Sequence, residues 1–342
     1  MTEYQRLTRR GQIRRLRRVA ERALSAYDIE PLSLSLLDHA FNTTFAVTDP
    51  EHNRYVLHVL RSMDERVLAS ARQVMVESEL WWLDRVRVDL ALPAPVPVRT
   101  AEGAGVVSVA LNSTDPAWLC TLFRWLDGRF VRDRLTPAHL EGVGRMTARL
   151  HQHSAHLQGS NWLRPNWFNR PVVGRADADL EDETVRLFTD YVSAEAAGVI
   201  ATALQSVRRA QDGLGRTPGV FGLIHADIHQ RNYLFNRGEV RLIDFGDCGW
   251  GHYLYDLAVT LSEVVDSPRL DELRAGLLAG YRQVRELSPQ HEAMIDAFIL
   301  LREVENLSWI VTAREDPNYR AWAAQIDERV TELERRLDGE QM

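Results

Sequence analysis

Three oxygen-bearing side chains, Asp227, Asn232 and Asp244, follow one another in an order that suits chemistry on a phosphate. The first two belong to the densest polar cluster of the chain, His225-Ala-Asp-Ile-His-Gln-Arg-Asn232, and the third opens Asp244-Phe-Gly246. Two carboxylates and an amide oxygen, with no cysteine in the set, suit a hard cation such as Mg2+. Phosphoryl transfer needs such a set: magnesium neutralises a triphosphate, and a further carboxylate orients the attacking hydroxyl and takes its proton. The other reading of these residues, a buried polar hairpin held by hydrogen bonds, must offset the desolvation of two aspartates.

The segment that positions them is compact. An apolar run, 220–224, leads into the cluster, and Tyr233-Leu-Phe235 follows it. Asn236-Arg-Gly-Glu239 reads as a turn in which Gly238 takes positive φ, and Val240-Arg-Leu-Ile243 returns directly into Asp244. A hairpin of this form sets its two ends side by side, so 220–246 is predicted to be a catalytic hairpin. Around it, residues 137–153, 182–211, 253–264, 268–285, 290–313 and 318–337 carry helical patterns. Earlier in the chain, 6–24 reads as a basic helix with Leu16, Val19, Ala20 and Leu24 on its apolar side. Strands are expected at 41–47, 55–60, 106–111 and 119–123, and a helix at 67–85 that ends before Leu92-Pro-Ala-Pro95.

Composition narrows the chemistry. The chain has 342 residues, 45% of them hydrophobic, with net charge −7. All 41 basic residues are arginine, which excludes a lysine nucleophile, Schiff base or phosphate-gripping ammonium. Two cysteines, Cys120 and Cys248, give neither a disulfide framework nor a thiolate metal cluster. No apolar run reaches the ~20 residues of a membrane span, and no secretory signal pattern is present, so a cytoplasmic location is the expectation. The acidic balance argues against a nucleic-acid partner and for a neutral or cationic one.

At these residues the sequence resembles the aminoglycoside phosphotransferase and choline kinase family, relatives of protein kinases, over most of its length. Asn42-Thr-Thr44 resembles the family's nucleotide-covering turn and Tyr55-Val-Leu-His-Val59 the strand bearing a phosphate-contacting residue. Glu79 occupies the place of the helix glutamate that pairs with that residue. Thr121-Leu-Phe-Arg-Trp-Leu-Asp-Gly128 resembles the hinge, Ala148-Arg-Leu-His151 the helix after it, and Tyr255-Asp-Leu-Ala258 the aspartate that braces the catalytic loop. The wording of Asn42-Thr-Thr44 and of Trp250-Gly-His-Tyr-Leu-Tyr-Asp256 is most similar to the homoserine-kinase and stress-response-kinase branch.

The resemblance implies an α+β, bilobal protein-kinase-like fold, with a small antiparallel β-sheet N-lobe and a larger, mainly helical C-lobe. Its expected division is 1–124, a hinge at 125–128, and 129–342. It implies an ATP-dependent phosphotransferase acting on a small hydroxyl acceptor, with Asp227 as base, His225 bracing the loop, and Asn232 and Asp244 on magnesium. Phe123, Arg124, Trp125 and Leu126 would hold adenine, with Val56 over its face.

Three departures stand out. His58 takes the place of the kinase lysine, and strand periodicity turns it to the same side as Val56, with Arg61 as a candidate to share its role. No glycine lies between Gly11 and Gly103, so a glycine-rich phosphate loop is missing. Ala226 replaces the arginine of regulated protein kinases, and the eleven residues between Asp244 and Asp256 contain no serine or threonine. The site is therefore expected to assemble constitutively and to favour small acceptors. Three other classes compete: a protein Ser/Thr kinase, a pseudokinase that binds nucleotide without turnover, and a phosphohydrolase. The last would use His225, Asp227, His229, Asp244 and His252 as a metal shell.

Acceptor candidates are the acidic run Asp179-Leu-Glu-Asp-Glu183 and one helix face with Glu303, Asn306 and Trp309. The latter would suit an ammonium through ion pairing and cation–π contact. His151, His153 and His156 read as a solvated helix end, and Cys248 as a non-catalytic thiol.

Overall fold

The computed structural model describes residues 4–40, 42–60, 69–112, 117–157, 186, 188, 191–314 and 320–340. The chain divides after Asp127 into two compact units. The first is built on helix α1 (Arg9–Ala26), which Thr8 caps by accepting the Gly11 N–H, and on an antiparallel sheet. Its strands are β1 (Ser33–His39), β2 (Thr43–Thr48), β3 (Arg54–Leu60), β4 (Val96–Pro97), β5 (Val106–Val109) and β6 (Trp118–Arg124). They run in the order β1-β2-β3-β6-β4, with β5 also on β6.

Alternation along β3 sends Tyr55, Leu57 and Val59 into a core with Phe45, Val47, Cys120, Leu122 and the α1 residues Leu16, Val19, Ala20, Ala23 and Leu24. Val56 and His58 lie on the opposite face, as their spacing requires. Helix α2 (Ala69–Leu90) runs five residues past the expected end, until Ala91 takes φ 49° ahead of the proline-rich segment.

The second unit is mainly helical: α3 (Pro137–Leu157), α4 (Ala194–Leu214), α5 (Tyr253–Ser262), α6 (Leu270–Arg282), α7 (Ile295–Ala313) and α8 (Ile326–Glu340). Helices α3 and α6 touch backbone to backbone. A Cβ at Gly144 or Gly280 would sit 1.9 Å from a facing carbonyl oxygen, so only glycine permits the approach. Two small ribbons complete the unit: β7 (Phe221–Ile224) with β10 (Gly249–His252), and β8 (Tyr233–Asn236) with β9 (Glu239–Leu242).

Several expected elements shift. Strand β10 carries no alternating pattern and is created by its pairing with β7. Helix α4 starts at its Ser193 cap rather than at 182, and α7 starts five residues later than expected. The last predicted helix splits into a short turn, Arg320–Ala323, and α8. The fold is α+β, a small antiparallel sheet unit followed by a larger helical one. Among the described residues, no helix is long and apolar enough to cross a membrane.

Candidate active site

The polar cluster forms a tight loop between β7 and β8. Its backbone is gripped from behind by Asp256, on the first turn of α5: Oδ2 accepts the His225 N–H at 3.0 Å and Oδ1 the Ala226 N–H at 2.6 Å. Ala226 is thereby held at φ 68°, a left-handed conformation unfavourable for alanine. The His151 Nε2 and Asp256 Oδ2 atoms lie 2.9 Å apart, and His151 Nδ1 lies 3.0 Å from the Tyr281 hydroxyl. His151 and His153 are buried. The solvated helix end expected there is therefore corrected: the apolar packing of α3 carries both imidazoles inward, and only His156 is exposed.

His225 ties the loop to the strand that delivers Asp244. Its Nδ1 accepts the Asp227 N–H, and its Nε2 donates to the Ile243 carbonyl at 3.1 Å. Ile243 in turn donates its N–H to the Asn232 carbonyl at 2.9 Å. Burial pushes the His225 pKa down, consistent with a neutral ring that donates at one nitrogen and accepts at the other.

Asp227 is surrounded by donors. Oδ1 accepts from Arg302 Nη2 at 2.6 Å, while Oδ2 accepts from Asn232 Nδ2 at 2.7 Å and lies 3.2 Å from His229 Nε2. Burial alone would raise its pKa, but the His229 hydrogen bond and the Arg302 charge hold the carboxyl well below the usual range. The Asp227 carboxylate raises the pKa of His229 against the effect of burial.

Sequence patterns do not single out Arg302 or Glu305, and they include Tyr255 only within the motif around Asp256. Tyr255 donates to Glu305, and both act on Arg302. The one signal for Arg302 is its place directly after the apolar run 297–301 of its helix.

Asp244 has the opposite surroundings. It adopts a left-handed conformation, φ 60°, ψ 70°. Burial, then the carboxylates of Asp247 and Asp227, push its pKa up to about 7, with the Gly246 N–H opposing. Asn232 spends its amide nitrogen on the carbonyl and carboxylate of Asp227, and among the described residues no hydrogen bond to its side-chain oxygen is seen. Oxygen donors with excess negative charge fit a hard divalent cation. Among the described residues, no group of three or more His, Cys, Asp or Glu could hold a metal ion. His252 Nε2 donates to the Gly215 carbonyl and His225 Nε2 to Ile243, so the histidine-rich hydrolase shell is not assembled.

In the first unit, Thr44, Val56, His58 and Phe123 share one sheet face, since Thr44 pairs with His58 and Val56 with Phe123. The His58 and Phe123 rings lie 5.3 Å apart. Burial pushes the His58 pKa down to about 4, leaving a neutral imidazole near pH 7. Thr43 points the other way: its hydroxyl lies 2.7 Å from His39 Nδ1, and His39 reaches Gln12 of α1. Asn42 sits at the β1–β2 turn, and its carbonyl accepts the Ala40 N–H. Glu79 is buried on α2. Arg124 and Trp125 lie along the edge of β3, with the Trp125 N–H donating to the Arg54 carbonyl and the Arg54 guanidinium 3.7 Å over the indole. Leu126 is half-buried.

The proposed acceptor face does not hold together. Glu303 pairs with Arg336 of α8 at 2.9 Å, and Trp309 packs edge-on against Trp322, because helical rotation turns Arg302 rather than Glu303 toward Asp227. Asn306 is half-buried on α7. The acidic run 179–183 and Arg61 lie outside the described residues.

Residues 35–293 match the model of a family described as phosphotransferase enzymes. The chain belongs to the phosphotransferase enzyme family. It is 32% identical over 176 residues to a homoserine kinase of Polaromonas naphthalenivorans, covering 47% of this chain and 49% of that protein. An amicoumacin kinase of Bacillus subtilis is 26% identical over 171 residues, 47% of each protein. The chain spans about half the length of these curated relatives. Among solved structures, this phosphotransferase-family chain is similar to a microcompartment-associated aminopropanol kinase at 30% identity and TM-score 0.76, covering 94% of this chain and 98% of that one.

Proposed function

We propose that the protein is a kinase that moves the γ-phosphoryl group of ATP onto a hydroxyl of a small molecule. The observation that carries this reading is the pairing of a carboxylate ligated from within, Asp227, with a carboxylate set against two others, Asp244, on one braced loop and hairpin. Asp227 orients the acceptor hydroxyl and takes its proton. Its low basicity is no obstacle, because a loose transition state develops little charge on the attacking oxygen and the proton moves late. Asn232 and Asp244 would hold magnesium, which when bound supplies the positive charge that the phosphates require. His225 keeps the loop and the Asp244 strand in register, and Asp256 fixes the backbone on which Asp227 sits.

In the same reading, 1–124 is the nucleotide lobe, 125–128 the hinge and 129–342 the acceptor lobe. Phe123–Leu126 hold adenine through backbone groups, Val56 packs over it, and Asn42 and Thr44 cover the phosphates. A neutral His58 contributes contact rather than charge, so arginine supplies the phosphate grip. The names of the relatives, homoserine kinase and aminopropanol kinase, support a small hydroxyl-bearing amine as acceptor. The test is a screen of such acceptors for ADP release with magnesium, run beside Asp227→Asn. Turnover in the wild type that the variant lacks supports the reading. ATP binding without turnover on any acceptor, or phosphoester cleavage without ATP, overturns it.

A further inference from the structure

Away from Asp227, the second unit contains a cavity of about 710 Å3 whose lining includes Arg129, Arg145, Arg237 and His139 and no carboxylate. Some other arginines of the second unit meet acids: Arg274 pairs with Asp296, Arg282 with Glu292, Arg336 with Glu303 and Asp266. Among the described residues, Arg129 and Arg237 have no such pair, and Arg145 donates only to the neutral amide of Gln283 at 2.9 Å.

Two structural features fix the backbone and the ring that flank these exposed arginines. Arg129 exchanges both backbone hydrogen bonds with Phe235, at 3.0 and 2.9 Å, which pins it to the β8–β9 hairpin. The His139 ring packs 4.6 Å from that of Phe235. His139 Nδ1 accepts the Thr136 N–H, which places the ring proton on Nε2 as a donor for another partner.

The turn itself supplies the second observation. Arg237 and Gly238, at φ 51° and 84°, are the two central residues of a two-residue hairpin turn. Both positions require positive φ, for which Asn-Gly is the favoured pair. Arginine at the first of them strains the backbone, and its side chain makes no intramolecular bond among the described residues that would offset the strain. A strained residue lining a cavity with unpaired cations points to a ligand.

We propose that this cavity binds a small phosphorylated anion, read by Arg129, Arg145 and Arg237, with the His139 ring, backed by the buried Phe235, available to a flat ring. The cavity's lining does not include Asp227, Asn232 or Asp244, and the inference does not depend on the phosphoryl-transfer reading. The anion could derive from a phosphate ester or from a nucleotide; the two share the phosphoryl group and differ in the ring.

The experiment is titration calorimetry of the full chain with inorganic pyrophosphate, in EDTA and at low salt. Saturable one-site binding is expected, weakened at least about tenfold in Arg237→Asn and in Arg129→Ala, and unchanged in Arg208→Ala, a helix arginine outside the cavity. Because asparagine suits the turn, Arg237→Asn should also raise the melting temperature by about 1–2 °C, so lost binding cannot be lost folding. Binding of AMP at least tenfold tighter than of ribose 5-phosphate, lost in Phe235→Leu, supports a nucleotide; equal binding supports a phosphate ester. No saturable binding of any of these probes up to about 10 mM, or the same affinity in Arg237→Asn as in the wild type, overturns the proposal.

Discussion

Asp227 and Asp244 lie at the two ends of one hairpin and are the same residue type, yet their environments are opposite. The chain surrounds Asp227 with Arg302, Asn232 and His229, so its negative charge is satisfied from within. Against Asp244 it sets two further carboxylates, which help push its pKa up to about 7. The first is finished by the fold; the second is costly unless something positive arrives from outside. That asymmetry is what separates a structural polar hairpin from a site awaiting a charged ligand. A like contrast appears elsewhere in the chain: Asp256 is saturated by two backbone N–H groups and His151, whereas desolvation pushes the His58 pKa down to about 4.

The largest expected effect breaks the satisfied side. Asp227→Asn keeps the volume but cannot accept a proton, and should lower kcat by about 10^2–10^4-fold in steady-state assays. An unchanged kcat would remove Asp227 from the chemistry. Next, Asp256→Ala strips the acceptor from two backbone donors and a buried imidazole, and should cost about 3 kcal/mol of stability in urea unfolding. A cost below about 1 kcal/mol would mean that the loop holds itself.

The third effect concerns His58. Its native pKa of about 4 lies below that of the unfolded chain, about 6.5, so the unfolded state binds the extra proton. The stability from the neutral ring is present above pH 6.5 and lost as pH falls toward 4. His58→Phe should therefore be about 2 kcal/mol less acid-sensitive than the wild type between pH 7 and 5. Equal pH slopes would show that the ring is protonated or solvated in the native state. The smallest effect is that of Arg302→Met, which loosens Asp227 without removing it and should cost about tenfold in kcat. An unaltered rate would leave Arg302 a purely structural ion pair.

Much of this was legible in the sequence because it depends on local rules. The turn Asn236-Arg-Gly-Glu239 sits between two short apolar runs, so the hairpin and the arrival of Asp244 beside the loop follow from chain geometry. The same-face placement of Val56 and His58 follows from strand period alone. What was not legible depends on tertiary contact. Strand β10 exists because β7 pairs with it, and α7 turns Arg302 toward Asp227 only through its packing against α5. Glu303, chosen for its spacing to Trp309, is a neighbour of Arg336 more than thirty residues away in sequence, a pairing no local pattern encodes. Thr43 and Thr44, read as one turn, separate because β2 extends through both.

The most direct measurement is Mn2+ binding, followed by electron paramagnetic resonance with a non-hydrolysable ATP analogue present, in the wild type and in Asp244→Asn. The account predicts bound Mn2+ in the wild type, with affinity reduced at least about tenfold in the variant. It also predicts that the variant, relieved of repulsion from Asp227 and Asp247, is the more stable protein in the absence of metal. Equal Mn2+ affinity in the two proteins would contradict it.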